Sequence, residues 1–150
     1  MEMDKVLDWV ELAVHDEWFA VYQYWVGSVL IADEYENVIL QFVEHSGDEH
    51  DHATELAMWL IGNVSQDGKF PLPTTLLEVT GRYHCGGVKS LTSYPDSLIT
   101  DNLGAERCAI EFYTGFLKKV SDRDLVKLLK RILVKEKEHE CDLERLLQKL

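Results

Sequence analysis

The chain has 150 residues, of which 46% are hydrophobic and 28% are charged. This composition is typical of a globular protein and excludes a disordered one, and the length suits a single domain over residues 1–150. The formal net charge of −12 disfavours nucleic acid and anionic membranes as partners and favours cations. No apolar run approaches the roughly 20 residues that a membrane-spanning helix needs.

Other global features point to the interior of the cell. The first eight residues are acidic and lack the basic segment of a signal peptide, so we expect a cytoplasmic protein. Cys85, Cys108 and Cys141 are too few for a disulfide framework, and no CxxC zinc pair is present. From the residues alone, these cysteines are as readily buried or idle thiols as functional ones.

Four segments carry apolar side chains at alternating steps of three and four residues, as the inward faces of helices in a bundle do. They predict helices over residues 3–33, 36–62, 95–120 and 122–149. Pro95 suits the first turn of the third helix, and Ser121 with Asp124 forms a capping-box-like start for the fourth. Between the second and third helices lies a long connection rich in glycine and proline, with a weak helical pattern at residues 76–82. Its length suits a crossover that runs along the bundle.

Each apolar stripe is interrupted near its middle by acidic or histidine side chains. In chain order these are Glu17 in the first helix, Glu49 and His52 in the second, Glu106 in the third, and Glu136 and His139 in the fourth. Each glutamate lies about 15 residues from the turn that joins its helix to the next, so antiparallel pairing brings the glutamates level. Four buried carboxylates at one level need shared cations or shared protons.

The two halves of the chain also resemble each other. The first and third helices share Glu-x-x-Ala-x-x-x-Tyr, and the second and fourth share Glu-x-x-His-x-x-x-Leu. Two residues three apart lie on one helical face, so a single metal can contact both. One glutamate from each of two helices, with Glu-x-x-His from the other two, is the ligand set of di-iron carboxylate bundles. Four carboxylates balance two divalent ions, and this donor set favours iron, with manganese or zinc as substitutes.

At these positions the sequence resembles the ferritin-like di-iron superfamily over nearly its whole length. Residues 17–24, Glu-Trp-Phe-Ala-Val-Tyr-Gln-Tyr, resemble the first-helix motif of bacterioferritins. The Dps-like, or thioferritin, branch is similar in two further places. It carries a cysteine two residues after the third-helix glutamate, here Cys108, and another in the crossover before a Tyr-Pro-x-Asp-like stretch, here Cys85 before residues 94–96. The resemblance implies an all-α, ferritin-like four-helix bundle with a long crossover, assembled as a dodecameric cage of identical subunits.

The resemblance also implies an activity, that of a ferroxidase. Two Fe(II) ions per subunit would be oxidised by hydrogen peroxide or dioxygen, and the iron would be stored or detoxified in protection against oxidative stress. It implies that Glu49 and Glu136 bridge the ions, that Glu17 with His52 completes one position, and that Glu106 with His139 completes the other. It further implies that Cys85 and Cys108 pair beside this centre and are candidates for a redox disulfide, whereas Cys141 has no counterpart. Bacterioferritins bind haem through a methionine where this sequence has His50, so we expect no haem.

Two other functions fit the same residues. A rubrerythrin-like di-iron peroxidase would share the ligand set without storing iron, although it would need a reductant partner and the sequence has no rubredoxin-like CxxC module. A non-enzymatic helical interaction module would use the polar residues as core ion pairs.

Three neighbouring residues have two interpretations each. His45 lies one turn before Glu49 and either supports a metal ligand or packs in the core. Tyr24 and Tyr113 either hydrogen-bond to ligand carboxylates or pack with a polar tip, and the sequence favours packing.

Overall fold

The computed structural model describes residues 1–64, 84–85 and 93–150. The helices are α1 (Met3–Leu30), α2 (Glu36–Asn63), α3 (Pro95–Leu117) and α4 (Arg123–Lys149), with a 3₁₀ turn at Asp33–Tyr35 between the first two. The described residues contain no strand, so the all-α prediction is confirmed. The weak helical pattern at residues 76–82 lies outside the described residues. None of the helices in the described ranges is long and apolar enough to cross a membrane.

The turn between α1 and α2 comes earlier than predicted, and the two helices pack closely beside it. α1 ends at Leu30 because Ile31 and Ala32 have extended backbones that lead into the 3₁₀ turn. One turn before this end lies Gly27, where an added Cβ would sit 2.7 Å from a ring carbon of Phe42. The absence of a side chain at Gly27 therefore allows the ring of Phe42 to pack against the backbone of α1.

The starts of α3 and α4 have local causes. Pro95 occupies the first turn of α3 as predicted, where its missing N–H costs no hydrogen bond. The cap of α4 differs from the prediction. Asp122, rather than Ser121, is the N-cap, and its side chain accepts a hydrogen bond from the backbone N–H of Leu125 at 2.9 Å. The carboxylate of Asp122 therefore satisfies one of the free N–H groups in the first turn of α4.

The core consists of two apolar clusters, one at each end of the bundle. The first joins the starts of α1 and α4 to the ends of α2 and α3, through Val6, Val10, Ala13, Val14, Leu56, Leu60, Tyr113, Phe116, Leu125, Leu128, Leu129 and Ile132. The second joins the opposite ends, through Tyr24, Ile31, Val38, Phe42, Leu98, Ile99, Leu103, Leu143 and Leu146. α2 thus ends at the opposite end of the bundle from the start of α3, which is the arrangement that a long crossover produces. The fold is the predicted ferritin-like four-helix bundle.

Candidate metal centre

A band of buried polar side chains separates the two apolar clusters. It contains all six side chains that the sequence singled out, none more than 7% exposed: Glu17, Glu49, His52, Glu106, Glu136 and His139. One comes from α1, one from α3, and two each from α2 and α4. Burying this many ionisable groups together is unfavourable unless protons or cations compensate their charge.

The six side chains fall into two overlapping groups of potential ligands. The first group is Glu17, Glu49, His52 and Glu136, the second is Glu49, Glu106, Glu136 and His139, and within each the ligand atoms lie within 4.8 Å of one another. Glu49 and Glu136 belong to both groups, so two ions held here would share both carboxylates. One oxygen of each of the four glutamates is buried, and none of these oxygens has a hydrogen-bond partner of good geometry among the described residues. Only protons shared between the carboxyl groups would supply one. Such a donor set fits a pair of metal ions.

Two tyrosines hold the outer glutamates through hydrogen bonds between α1 and α3. The hydroxyl of Tyr24 donates to Oε1 of Glu106 at 2.6 Å, and that of Tyr113 donates to Oε1 of Glu17 at 2.6 Å. Each bond leaves the other carboxylate oxygen free for a metal. Burial and the nearby carboxylates raise the pKa of both phenols well above the ordinary value, so both remain donors. The hydrogen-bonding interpretation of the two tyrosines is therefore the one that the structure supports.

His139 is held from both sides of its ring. Nδ1 lies 2.9 Å from Oε1 of Glu49 and 3.2 Å from Oε1 of Glu106, so this nitrogen faces the centre. Nε2 lies 2.9 Å from Oδ2 of Asp48, on the far side of the ring. A carboxylate behind an imidazole ligand fixes the orientation of the ring and the position of its proton.

His45 stacks on the ring of His139 and helps to hold it in position. The two rings are 3.9 Å apart between centroids and inclined by 27°. Nε2 of His45 lies 3.1 Å from Oδ2 of Asp142 and 3.1 Å from Nε2 of Gln41. Burial, together with the neighbouring charge of His139, lowers the pKa of His45 to about 4. A neutral ring can therefore stack on His139 without charge repulsion.

His52 is held less firmly than His139. Its Nδ1 lies 3.1 Å from Oε1 of Glu136 and 3.5 Å from Oε2 of Glu17. Its other edge faces a surface groove between α2 and α4 that is lined by Asp48, Asp51, His52, Glu55, Lys130, Arg131, Ile132, Val134 and Lys135. In the internal repeat, Lys135 occupies the place of Asp48, and an ammonium group cannot accept a hydrogen bond from an imidazole.

The carboxyl groups of the metal-free centre have opposed pKa shifts. Burial, followed by repulsion from the neighbouring carboxylates, raises the pKa of Glu49 and Glu136 well above the usual range. Burial also opposes ionisation of Glu17 and Glu106, but hydrogen bonds within the cluster and the adjacent histidines outweigh it and lower their pKa. The metal-free centre therefore keeps protons on the shared pair of glutamates and negative charge on the outer pair.

The two histidines of the centre carry the positive charge that balances the ionised glutamates. Burial lowers the pKa of His139, but the hydrogen bond and charge of Glu106, with the charge of Glu136, outweigh it and raise the pKa to about 9. The pKa of His52 is also raised, because Glu17 outweighs the effect of burial. Two imidazolium ions then neutralise two carboxylates. Replacing the four protons by two divalent ions would leave the same net charge.

The metal-free protein is expected to lose stability as the pH rises from about 6.5 to about 9. The pKa of His139 is higher in the folded chain than its ordinary 6.5, so its contribution is present in full below pH 6.5 and disappears as the pH approaches about 9. The raised pKa values of Glu49 and Glu136 act in the same direction. The loss from His139 alone is on the order of 3 kcal/mol. Urea unfolding of chelator-treated protein at pH 6.5 and pH 9 measures it, and an increase in stability over this range would contradict the expectation.

A disulfide lies beside this centre. It joins Cys85 to Cys108 of α3, with the two Cα atoms 5.3 Å apart, and it is the pair that the family resemblance implied. Cys85 lines the same small cavity as Glu17 and Glu106. Cys141 is exposed and unpaired. The disulfide therefore attaches the long connection to α3 at the height of the candidate metal centre.

The fold has a counterpart among solved structures. The thioferritin of Bacteroides fragilis, described as a dodecameric and bacterioferritin-related protein, has a TM-score of 0.83 and 28% sequence identity over 99% of this chain and 88% of that chain. The chain has the ferritin-like fold. No protein-family model matches the sequence of this ferritin-like chain, and no curated protein matches it significantly.

Sequence reasoning missed two acidic residues beside the candidate metal centre, Asp48 and Asp142. Each hydrogen-bonds a buried histidine, Asp48 with His139 and Asp142 with His45. Both residues lie on the partly exposed flanks of their helices, where acidic side chains are common in a chain of this charge. The periodicity of the inward stripe therefore gave no signal for either of them.

Proposed function

We propose that this chain is an iron-oxidising mini-ferritin, a ferroxidase that binds two Fe(II) ions per subunit as substrate. Hydrogen peroxide or dioxygen would serve as oxidant, and the product would be stored or detoxified. The observation that carries the proposal is the pair of buried ligand groups that share Glu49 and Glu136. Carboxylate oxygens with one imidazole per ion suit iron or manganese, and two adjacent ions can supply two electrons to one oxidant together.

Each residue of the centre then has a role. Glu17 with His52 would hold one Fe(II), Glu106 with His139 would hold the other, and the two shared glutamates would bridge them. Tyr24 and Tyr113 keep the outer carboxylates in position, as their 2.6 Å hydrogen bonds indicate. Asp48 keeps Nδ1 of His139 turned toward the centre by hydrogen-bonding the opposite nitrogen.

We also propose that identical chains assemble into a cage; the similar protein of Bacteroides fragilis is described as dodecameric. Several large apolar side chains lie on the outside of α1 and α2, among them Trp25, Leu40, Val43, Met58 and Ile61, each at least 50% exposed. Exposed apolar side chains on these two helices are available for contacts between subunits. A dodecamer would bury part of this surface between subunits.

Iron loading tests the proposed function. Metal-free protein is given Fe(II) with hydrogen peroxide or with air, separated by size exclusion, and analysed for iron, particle mass and oxidant consumed. We expect far more than two irons per chain in a particle the size of a cage. About two irons per chain with continued consumption of peroxide would instead indicate a rubrerythrin-like peroxidase. Failure to take up any Fe(II) would indicate a non-enzymatic interaction module.

Duplex DNA is expected not to bind at physiological salt, despite the Dps-like resemblance. Affinity for duplex DNA depends on cationic side chains that displace counterions from phosphates. The net charge is −12, and at the amino terminus Lys5 stands among Glu2, Asp4 and Asp8. A gel mobility shift measures binding, and a variant with lysine at those three acidic positions tests whether the charge of the amino terminus decides the result. A shift by the parent protein that persists at physiological salt would contradict the expectation.

A further inference from the structure

His84 precedes Cys85, and its ring lies between an aspartate and the disulfide. Nδ1 of His84 forms an ion pair with Oδ2 of Asp16, and the backbone N–H of His84 donates to Oδ1 of Asp16 at 3.2 Å. Nε2 lies on the other side of the ring, 3.6 Å from Sγ of Cys85. The ring also packs edge-on against Phe112, with centroids 5.1 Å apart. These contacts fix which nitrogen faces the sulfur atoms.

The distances suit a metal with sulfur and nitrogen ligands. One ligand atom from each of His84, Cys85 and Cys108 lies within 4.8 Å of the others. Zinc binds sulfur at about 2.3 Å and nitrogen at about 2.0–2.1 Å in a tetrahedral arrangement, which places the two ligand atoms about 3.6 Å apart. The distance from Nε2 of His84 to Sγ of Cys85 is 3.6 Å, so this pair already has the spacing of two ligands of one zinc ion.

We propose that reduction of the Cys85–Cys108 disulfide creates a zinc site formed by His84, Cys85 and Cys108, with Asp16 as the residue that positions His84. The donors differ from the carboxylates of the di-metal centre, because thiolates and imidazole favour zinc, whereas carboxylate oxygens favour harder ions. His84 is partly exposed, with 36% of its side chain accessible, so the site opens to solvent and a water can complete the tetrahedron. The site is distinct from the proposed ferroxidase centre and does not depend on it.

The redox step balances with a dithiol as reductant. The dithiol supplies two electrons and two protons and becomes a disulfide, while the Cys85–Cys108 bond breaks and two thiols form. Zn²⁺ then displaces both thiol protons, and two thiolates neutralise its charge. The sulfur atoms move apart to about 3.8 Å, the separation of two sulfur ligands on one tetrahedral zinc. Oxidation of the pair removes both thiolates and releases the metal, so the state of the disulfide controls binding.

Asp16 contributes without touching the metal. A carboxylate that accepts the other N–H of a histidine ligand fixes the ring and strengthens it as a donor, and its loss typically weakens metal binding about 10–100-fold. Nδ1 of His84 already pairs with Asp16, which leaves Nε2 directed at Cys85. Asp16 also directly precedes Glu17, so the proposed zinc site lies next to the di-metal centre.

Cobalt substitution tests the proposal, because Co²⁺ bound to thiolate has a near-ultraviolet charge-transfer band that carboxylate ligands do not give. The experiment uses the assembled, full-length, metal-free protein with Cys141→Ser, which removes the exposed free thiol. We expect the band only after a dithiol has reduced the protein and has itself been removed without air, and we expect Zn²⁺ to abolish it. His84→Ala should weaken Co²⁺ binding at this site more than about 100-fold, and Asp16→Asn should weaken it about 10–100-fold.

Control variants distinguish the loss of a metal ligand from a loss of structure. His50→Ala changes an exposed histidine on α2 and should leave the band and its affinity unchanged. Cys108→Ser should reduce the intensity of the band because one sulfur is lost. Reformation of the disulfide on oxidation, together with an unchanged helical spectrum, shows that the His84→Ala variant is folded, and His84→Gln serves in its place otherwise. Cobalt binding without a thiolate band in the reduced protein, or an affinity that His84→Ala does not change, would overturn the proposal.

Discussion

Replacing Glu49 and Glu136 together by alanine is expected to abolish rapid Fe(II) oxidation while leaving the helical content unchanged. Both carboxylates belong to each of the two ligand groups, so the double variant keeps only one glutamate and one histidine for each ion. Loss of a single group that merely supports a ligand costs about 10–100-fold in metal affinity or activity. Loss of both shared ligands should therefore lower the initial rate by more than about 100-fold. Stopped-flow absorbance of the ferric product and far-ultraviolet circular dichroism measure the two effects.

The matched control replaces exposed glutamates on the same two helices. Glu44→Ala with Glu138→Ala removes the same number of carboxylates from α2 and α4, at positions that face solvent. This control should oxidise Fe(II) at the parent rate, which separates the loss of ligands from the loss of overall charge. If the Glu49 and Glu136 double variant itself oxidised Fe(II) at the parent rate, the proposed centre would be wrong.

Binding of two divalent ions is expected to release up to about four protons per chain. Two would come from Glu49 and Glu136, whose pKa values lie well above the usual range, and two from His52 and His139, whose pKa values are raised. Glu17 and Glu106, whose pKa values are lowered, release none. Because protons and metal compete for the same atoms, affinity should increase with pH, and the contribution of His139 should continue to about pH 9.

Calorimetry of Mn²⁺ binding to the oxidised protein measures this release, because the apparent enthalpy depends on the ionisation enthalpy of the buffer in proportion to the protons released. Titrations at pH 7 in two buffers of different ionisation enthalpy give the number. His139→Gln should lower it by about one, since the amide side chain does not titrate. An enthalpy that is the same in both buffers would contradict the expectation and the assignment of the protons to this centre.

The sequence predicted the six inward polar side chains of the centre because two regular quantities locate them. The helical period determines which face a residue occupies, and the distance from the connecting turn determines its height. Both quantities still apply in the folded protein, because it is a bundle of long antiparallel helices. The structure therefore brings Glu17, Glu49, Glu106 and Glu136 to one level between the two apolar clusters.

The surroundings of the centre depend on packing between helices that the sequence does not specify. Asp48 directly precedes Glu49, and the helical period directs its side chain about 100° away from the inward face. Asp48 reaches His139 only because α4 packs against the side of α2 to which Asp48 points. Likewise, no regular spacing in the sequence indicates the contacts of His84 with Asp16 and Cys85.

The two proposed metal positions are equivalent in the repeat but not in their surroundings. His139 has Asp48 behind it and His45 against its face, whereas the residue that corresponds to Asp48 in the other half is Lys135. The ring of His139 therefore already has a fixed orientation before a metal ion binds, whereas the position at His52 borders the groove between α2 and α4. We expect the ions to bind in sequence, the first settling at His139, and the second entering and leaving at His52. Exchange of the second ion would then take place through the groove.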